Sequence, residues 1–111
     1  MDSFIIKDGN FYYLFDVHED SNTSIGVGKI GIYRSENLFS ENWDALRTDS
    51  FGNNYQFEGV SICKIGSRYH MYVDDYAVNS GGGIWCSTSS NLVNWTAPFK
   101  TQSSYELRHG S

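Results

Sequence analysis

The sequence is poor in the features that mark several protein classes. It has two cysteines, Cys63 and Cys86, and one proline, Pro98, against 11 glycines. Two cysteines are too few for a disulfide framework and have no metal-ligand spacing, so both are expected as small buried residues. Positive charge is scarce as well: 8 Lys and Arg stand against 13 Asp and Glu, a formal net charge of −5. No basic cluster is present to neutralise phosphates, which excludes a nucleic-acid backbone as partner. Long apolar runs are absent, so no membrane-spanning segment is expected. Met1–Lys7 is too short and wrongly flanked to be a signal peptide, and the chain reads as soluble with no membrane partner and no fixed compartment. Nor does any stretch of helical length carry a 3.6-residue apolar period.

What remains is the composition of a folded β protein. Hydrophobic residues make up 40% and charged residues 19% of 111 positions, which fits one globular domain of modest core. Aromatics reach 16%, and the glycines suggest many tight turns between strands.

The chain repeats itself. FIIKDGNFYYLFD (4–16) aligns with SICKIGSRYHMYV (61–73), placing Lys7 on Lys64, Gly9 on Gly66, Tyr12 on Tyr69 and Phe15 on Tyr72, a constant offset of 57. Each copy reads as a strand, a glycine-containing turn (Asp8-Gly9-Asn10 or Gly66-Ser67) and an aromatic-rich second strand, a β-hairpin signature. Downstream, Asn37-Leu38 answers Asn91-Leu92, and Asn42-Trp43 answers Asn94-Trp95 after a two-residue gap.

A unit of about 50 residues and four short strands is the sequence form of a β-propeller blade. The chain is therefore read as all-β, a single partial propeller domain over 1–111. Residues 1–56 make the first four-stranded antiparallel blade, and 57–111 the second blade with the start of a further strand. A two-sheet sandwich with accidental self-similarity is the plainer alternative. Propellers close only as rings, so two blades imply either part of a longer propeller or a homo-oligomer that completes the ring. The final ELRHGS, where another strand is expected to start, favours the longer propeller.

Taken together, DSFIIKDGNFYYLF, FEGVSICKIGSRYHMYVDDY, STSSNLVNWT and the terminal RHGS resemble glycoside hydrolase family 43. The resemblance implies a five-bladed propeller that hydrolyses arabinose-, xylose- or galactose-containing glycans with inversion. It also implies three carboxylates at the inner ends of successive blades: a general base, an aspartate that tunes pKa and orientation, and a glutamate general acid. Glu58-Gly59 matches the family's Glu-Gly motif for the acid, although Val60 follows where the family usually has proline. Asp2 matches the tuning aspartate, and the 57-residue offset sets Asp2 against Gly59, so the two acids open equivalent strands within one residue. The base is expected from a blade preceding Asp2, outside this chain.

The resemblance also places His109 near the propeller axis, where some members hold a hydrated calcium-like ion; one histidine without companion ligands points rather to a structural role and to no required cofactor. Arg108, His109 and Trp85 are the candidate substrate contacts, with a carbohydrate as the partner. Tyr13, Tyr33, Tyr72, Trp43, Trp85 and Trp95 are otherwise expected to pack the blades, and His18 and His70 to be surface or strand residues. Asp74 and Asp75 alternate faces, so only one can face a pocket, and one is expected to cap the following loop. Gly81-Gly82-Gly83 lacks the Lys-Ser/Thr and helix of a phosphate loop. The competing functions are an inverting glycosidase segment acting through Glu58, a non-catalytic carbohydrate-binding module, and a self-assembling propeller fragment.

Overall fold

The structure is a computed structural model that describes residues 3–19, 28–48, 51, 57–75 and 83–102. These form eight strands: β1 (Ser3–Asp8), β2 (Phe11–Glu19), β3 (Gly28–Ser35), β4 (Asp44–Arg47), β5 (Phe57–Ile65), β6 (Arg68–Asp75), β7 (Ile84–Ser89) and β8 (Phe99–Gln102). They fall into two four-stranded sheets of order β1-β2-β3-β4 and β5-β6-β7-β8, with every neighbouring pair antiparallel. The fold is all-β, two propeller-type blades in series. Among the described residues no helix is long and apolar enough to cross a membrane.

Both hairpins anticipated from the repeat are present. Gly9-Asn10 joins β1 to β2 and Gly66-Ser67 joins β5 to β6, with φ of 61° and 63° at the two glycines. A glycine with positive φ at the first central position is what a two-residue hairpin of type II′ requires. Alternation then sorts the side chains. Phe4 and Ile6 on β1 share a face with Tyr13, Phe15 and Val17 on β2 and with Ile30 and Ile32 on β3. Phe15, Val17 and Ile32 on that face have no exposed surface. It meets Ile62, Tyr69, Met71 and Val73 of the second sheet in one hydrophobic cluster.

Further contacts join the sheets. The Phe15 and Trp95 rings meet edge to face at 5.8 Å, a geometry their quadrupoles favour. The Tyr69 hydroxyl donates to the Asp8 carboxylate, and Arg47 Nη2 donates to Asn94 Oδ1 at 2.6 Å.

The downstream echo is also structural. Ser35 Oγ accepts from the Asn37 amide at 3.0 Å, and Ser89 Oγ from the Asn91 amide at 3.1 Å. The Trp43 indole donates to the Ser40 carbonyl at 3.0 Å, as the Trp95 indole does to the Leu92 carbonyl at 2.9 Å. The two-residue gap therefore falls between Asn37 and Ser40. Leu92 itself is fully buried with φ 70°, a left-handed conformation that costs a non-glycine residue about 1–2 kcal/mol and persists because the buried side chain holds it.

One expectation fails. Cys86 is buried but Cys63 is exposed. Cys63 alternates with Ile62, which takes the core side, so its side chain falls on the face of β5 turned away from the first sheet.

Candidate functional site

Glu58 is the second residue of β5, half-buried, at an irregularity in the ladder. Ser61 pairs with Tyr72, so an unbroken ladder would set Gly59 against Asp74; Glu58 takes that place instead. One extra residue is therefore accommodated in β5. Gly59 has φ 62°, the left-handed glycine that characterises a G1-type bulge, a device that re-aims side chains and ends regular pairing. The bulge has two consequences. It turns Phe57, 1% exposed, to the same side as Val60 and Ile62, and it turns Glu58 to the opposite side, beside Asp74. An ideal Cβ built on Gly59 would lie 3.7 Å from Asp74 Oδ2, so the Asp74 carboxyl lies over the bulge.

Asp74 is only 4% exposed. Residues directly opposite on antiparallel strands have Cβ atoms about 4.5–5.5 Å apart, so the Glu58 and Asp74 side chains leave the ladder side by side on one face. The expectation that one acid of the Asp74-Asp75 pair turns inward thus resolves onto Asp74. The loop it was expected to cap lies largely outside the described residues. The sequence signal for Asp74 was its place in the repeat: the offset of 57 sets it on Val17, a fully buried core residue.

Asp2, Arg108 and His109 lie outside the described residues. Trp85 is on β7, packed against the core cluster with its ring 6.5 Å from that of Phe57. Of the remaining aromatics, Tyr13 is buried and Tyr33, Tyr72, Trp43 and Trp95 are half-buried, while His18 and His70 are half-buried strand residues. Among the described residues no three His, Cys, Asp or Glu side chains group to hold a metal ion. An open hollow lined by Ala45, Leu46, Arg47 and Thr48 lies on β4, at the opposite edge of the first sheet from β1, and shares no residue with the Glu58 row.

Among the described residues, ionisation is shifted at Tyr69, Tyr72 and Cys86. The Tyr69 hydroxyl is pushed above its usual 10.0 by burial first, then by its hydrogen bond to Asp8 and that residue's charge. Tyr72 is pushed up by burial and then by Cys86 and Cys63 beside it. Burial pushes the Cys86 thiol up, against the smaller opposing effect of its hydrogen bond with Tyr72.

No family model matches the chain, and no curated protein matches it. Among solved structures it is similar to an exo-β-1,3-galactanase from Phanerochaete chrysosporium determined with β-1,3-galactotriose, at 17% identity and a TM-score of 0.66. The match covers 91% of this chain and 26% of that one, so the chain spans about a quarter of the galactanase's length. At this identity the likeness carries the fold alone: two successive blades of the β-propeller type found in a glycoside hydrolase.

Proposed function

We propose that the chain is a segment of a glycoside hydrolase family 43-type propeller that cleaves O-glycosidic bonds with inversion, and that Glu58 is its general acid. The observation that carries this reading is the glycine bulge that turns Glu58 off the core face at the start of the inner strand of its blade. The likeness to an exo-β-1,3-galactanase determined with β-1,3-galactotriose supports a carbohydrate substrate, with β-linked galactosides the first to test and arabinosides and xylosides after them.

In this mechanism the Glu58 carboxyl gives its proton to the glycosidic oxygen as the bond to the anomeric carbon breaks. Water attacks that carbon from the opposite face and loses its proton to a carboxylate base. Inverting enzymes leave about 6.5–9.5 Å between acid and base to admit that water. Asp2 takes the tuning role, and the base comes from a blade outside this chain.

Glu58→Gln keeps the shape of the side chain and removes the transferable proton. In the complete propeller that carries this segment, on a panel of β-galactosides, arabinosides and xylosides, kcat is expected to fall by about 10²–10⁴-fold with little change in KM. A panel cleaved equally well by Glu58→Gln refutes the assignment.

A second reading has its own observation. Ile5 on the outer face of the first sheet is 47% exposed, and Phe39 in the loop after β3 is 88% exposed. Both suit a surface completed by another blade, from a longer chain or from a second copy. Sedimentation distinguishes a defined oligomer from a monomer.

A further inference from the structure

Resting on the reading of Glu58 as the acid, we propose that Asp74 is its positioning residue, a second carboxyl built into β6 to hold the Glu58 carboxyl in one orientation. Four observations converge on it. Asp74 stands directly opposite Glu58 in the β5–β6 ladder. That pairing exists only because the Gly59 bulge shifts the register by one residue. The Asp74 carboxyl lies over the bulge, with Oδ2 3.7 Å from where a Gly59 Cβ would be. Finally, Asp74 is 4% exposed at the position where the first blade carries Val17, fully buried.

That last point separates the proposal from a purely structural role. At this place in the repeat the first copy packs its blade with valine, whereas the second carries a carboxyl beside its candidate acid. Departures from local consistency of this kind concentrate at functional sites. The chemistry suits the place. A carboxyl both accepts and, when protonated, donates hydrogen bonds, so one carboxyl can hold the O–H of another at a fixed angle. A general acid needs that fixed orientation, because its proton must point at the leaving oxygen when the bond breaks.

The test compares Asp74→Val and Asp74→Asn with the parent, each within the complete propeller that supplies the base, on two kinds of glycoside. Disaccharides have poor leaving groups that need protonation, whereas activated aryl glycosides such as the 2,4-dinitrophenyl compounds leave without it. Asp74→Asn keeps the shape of the side chain, and Asp74→Val places there the residue of the first copy. Asp74→Val is expected to lower kcat on disaccharides by about 10–100-fold with KM unchanged, and to change aryl glycoside cleavage less than about threefold. Combining it with Glu58→Gln should lower kcat no further than Glu58→Gln alone, since the two act as a unit. Equal losses on both substrate kinds, or no loss on either, overturn the positioning role.

A second readout needs no activity. In a thermal unfolding cycle of Glu58→Gln, Asp74→Asn and the double variant, the midpoint shifts are expected to be non-additive. Additive shifts overturn the proposal. If the complete propeller that carries this segment cleaves no glycoside while the shifts are non-additive, the hydrolase reading falls and the pairing of Glu58 with Asp74 stands.

Discussion

Replacing Gly59 with alanine tests the bulge on which the site depends. The substitution meets no steric obstacle, because the nearest atom to the new Cβ is Asp74 Oδ2 at 3.7 Å, an ordinary contact. What it meets is backbone strain: at φ 62° an alanine costs about 1–2 kcal/mol. The chain could escape that strain by straightening the bulge, but the register would then shift by one residue and carry Phe57 out of the core. Phe57 is 1% exposed and packs against Phe51 at 5.6 Å and Trp85 at 6.5 Å. Losing such a side chain from a core costs about 3–5 kcal/mol. The smaller penalty wins, so the bulge persists in Gly59→Ala and the variant is destabilised by the strain alone.

Gly9→Ala is the control, since Gly9 has φ 61° and a Cβ there has nothing within 4 Å. Thermal melts should show both variants lowered by a similar amount, about 5–10 °C for a domain of this size. Neither should change glycoside cleavage by the folded protein, because the bulge that aims Glu58 persists in Gly59→Ala. A Gly59→Ala variant as stable as the parent, beside a destabilised Gly9→Ala, would mean that Gly59 is not held left-handed and that the bulge argument is wrong.

Other outcomes follow from the same geometry. Phe15→Ala removes a fully buried ring that meets Trp95 across the two sheets; urea unfolding should show a loss of about 3–5 kcal/mol. Native thiol titration should find one fast-reacting cysteine per chain, the exposed Cys63, and a second only in denaturant, because burial keeps the Cys86 thiol protonated and inaccessible. The raised Tyr69 hydroxyl gives a pH dependence of definite sign: above pH 10 the unfolded chain loses this proton before the folded one does, so the stability it contributes is intact below pH 10 and falls as pH rises further. Urea midpoints at pH 8 and pH 10.5 should differ less in Tyr69→Phe than in the parent.

The sequence made the blades legible because a repeat declares itself. Lys7 with Lys64, Gly9 with Gly66 and Tyr12 with Tyr69 fixed the hairpins, and the Asn-Leu and Asn-Trp echoes fixed the turns that follow β3 and β7. Glu58 was legible from its neighbour Gly59. Three things were not. The bulge is invisible to alternation, since reading β5 with a strict period of two puts Phe57 on the same face as Cys63. The exposure of Cys63 depends on which face of the second sheet meets the first, which no local pattern states. Asp74 was visible only by comparing the copies position by position, because an acid near a strand end reads as an ordinary loop residue until its counterpart proves to be Val17.

The same comparison weighs the two ways of completing a ring. The face of the first sheet that packs against the second carries Phe4, Ile6, Tyr13 and Val17; the equivalent face of the second sheet carries Ser61, Cys63, His70 and Asp74. In a head-to-tail ring of identical chains, this more polar face would meet the face of the next copy that carries Ile5 and Leu14 together with Ser3, Lys7, Tyr12 and Asp16. Each polar group left without a partner there would cost about 1–3 kcal/mol. The interface inside the chain avoids that cost by matching apolar to apolar. Both outer faces are mixed instead, and they suit a neighbour that brings polar groups into register with their own, a second copy or a flanking blade. A sedimentation profile showing a stable closed ring of this chain alone would select the second copy; a monomer would select flanking blades.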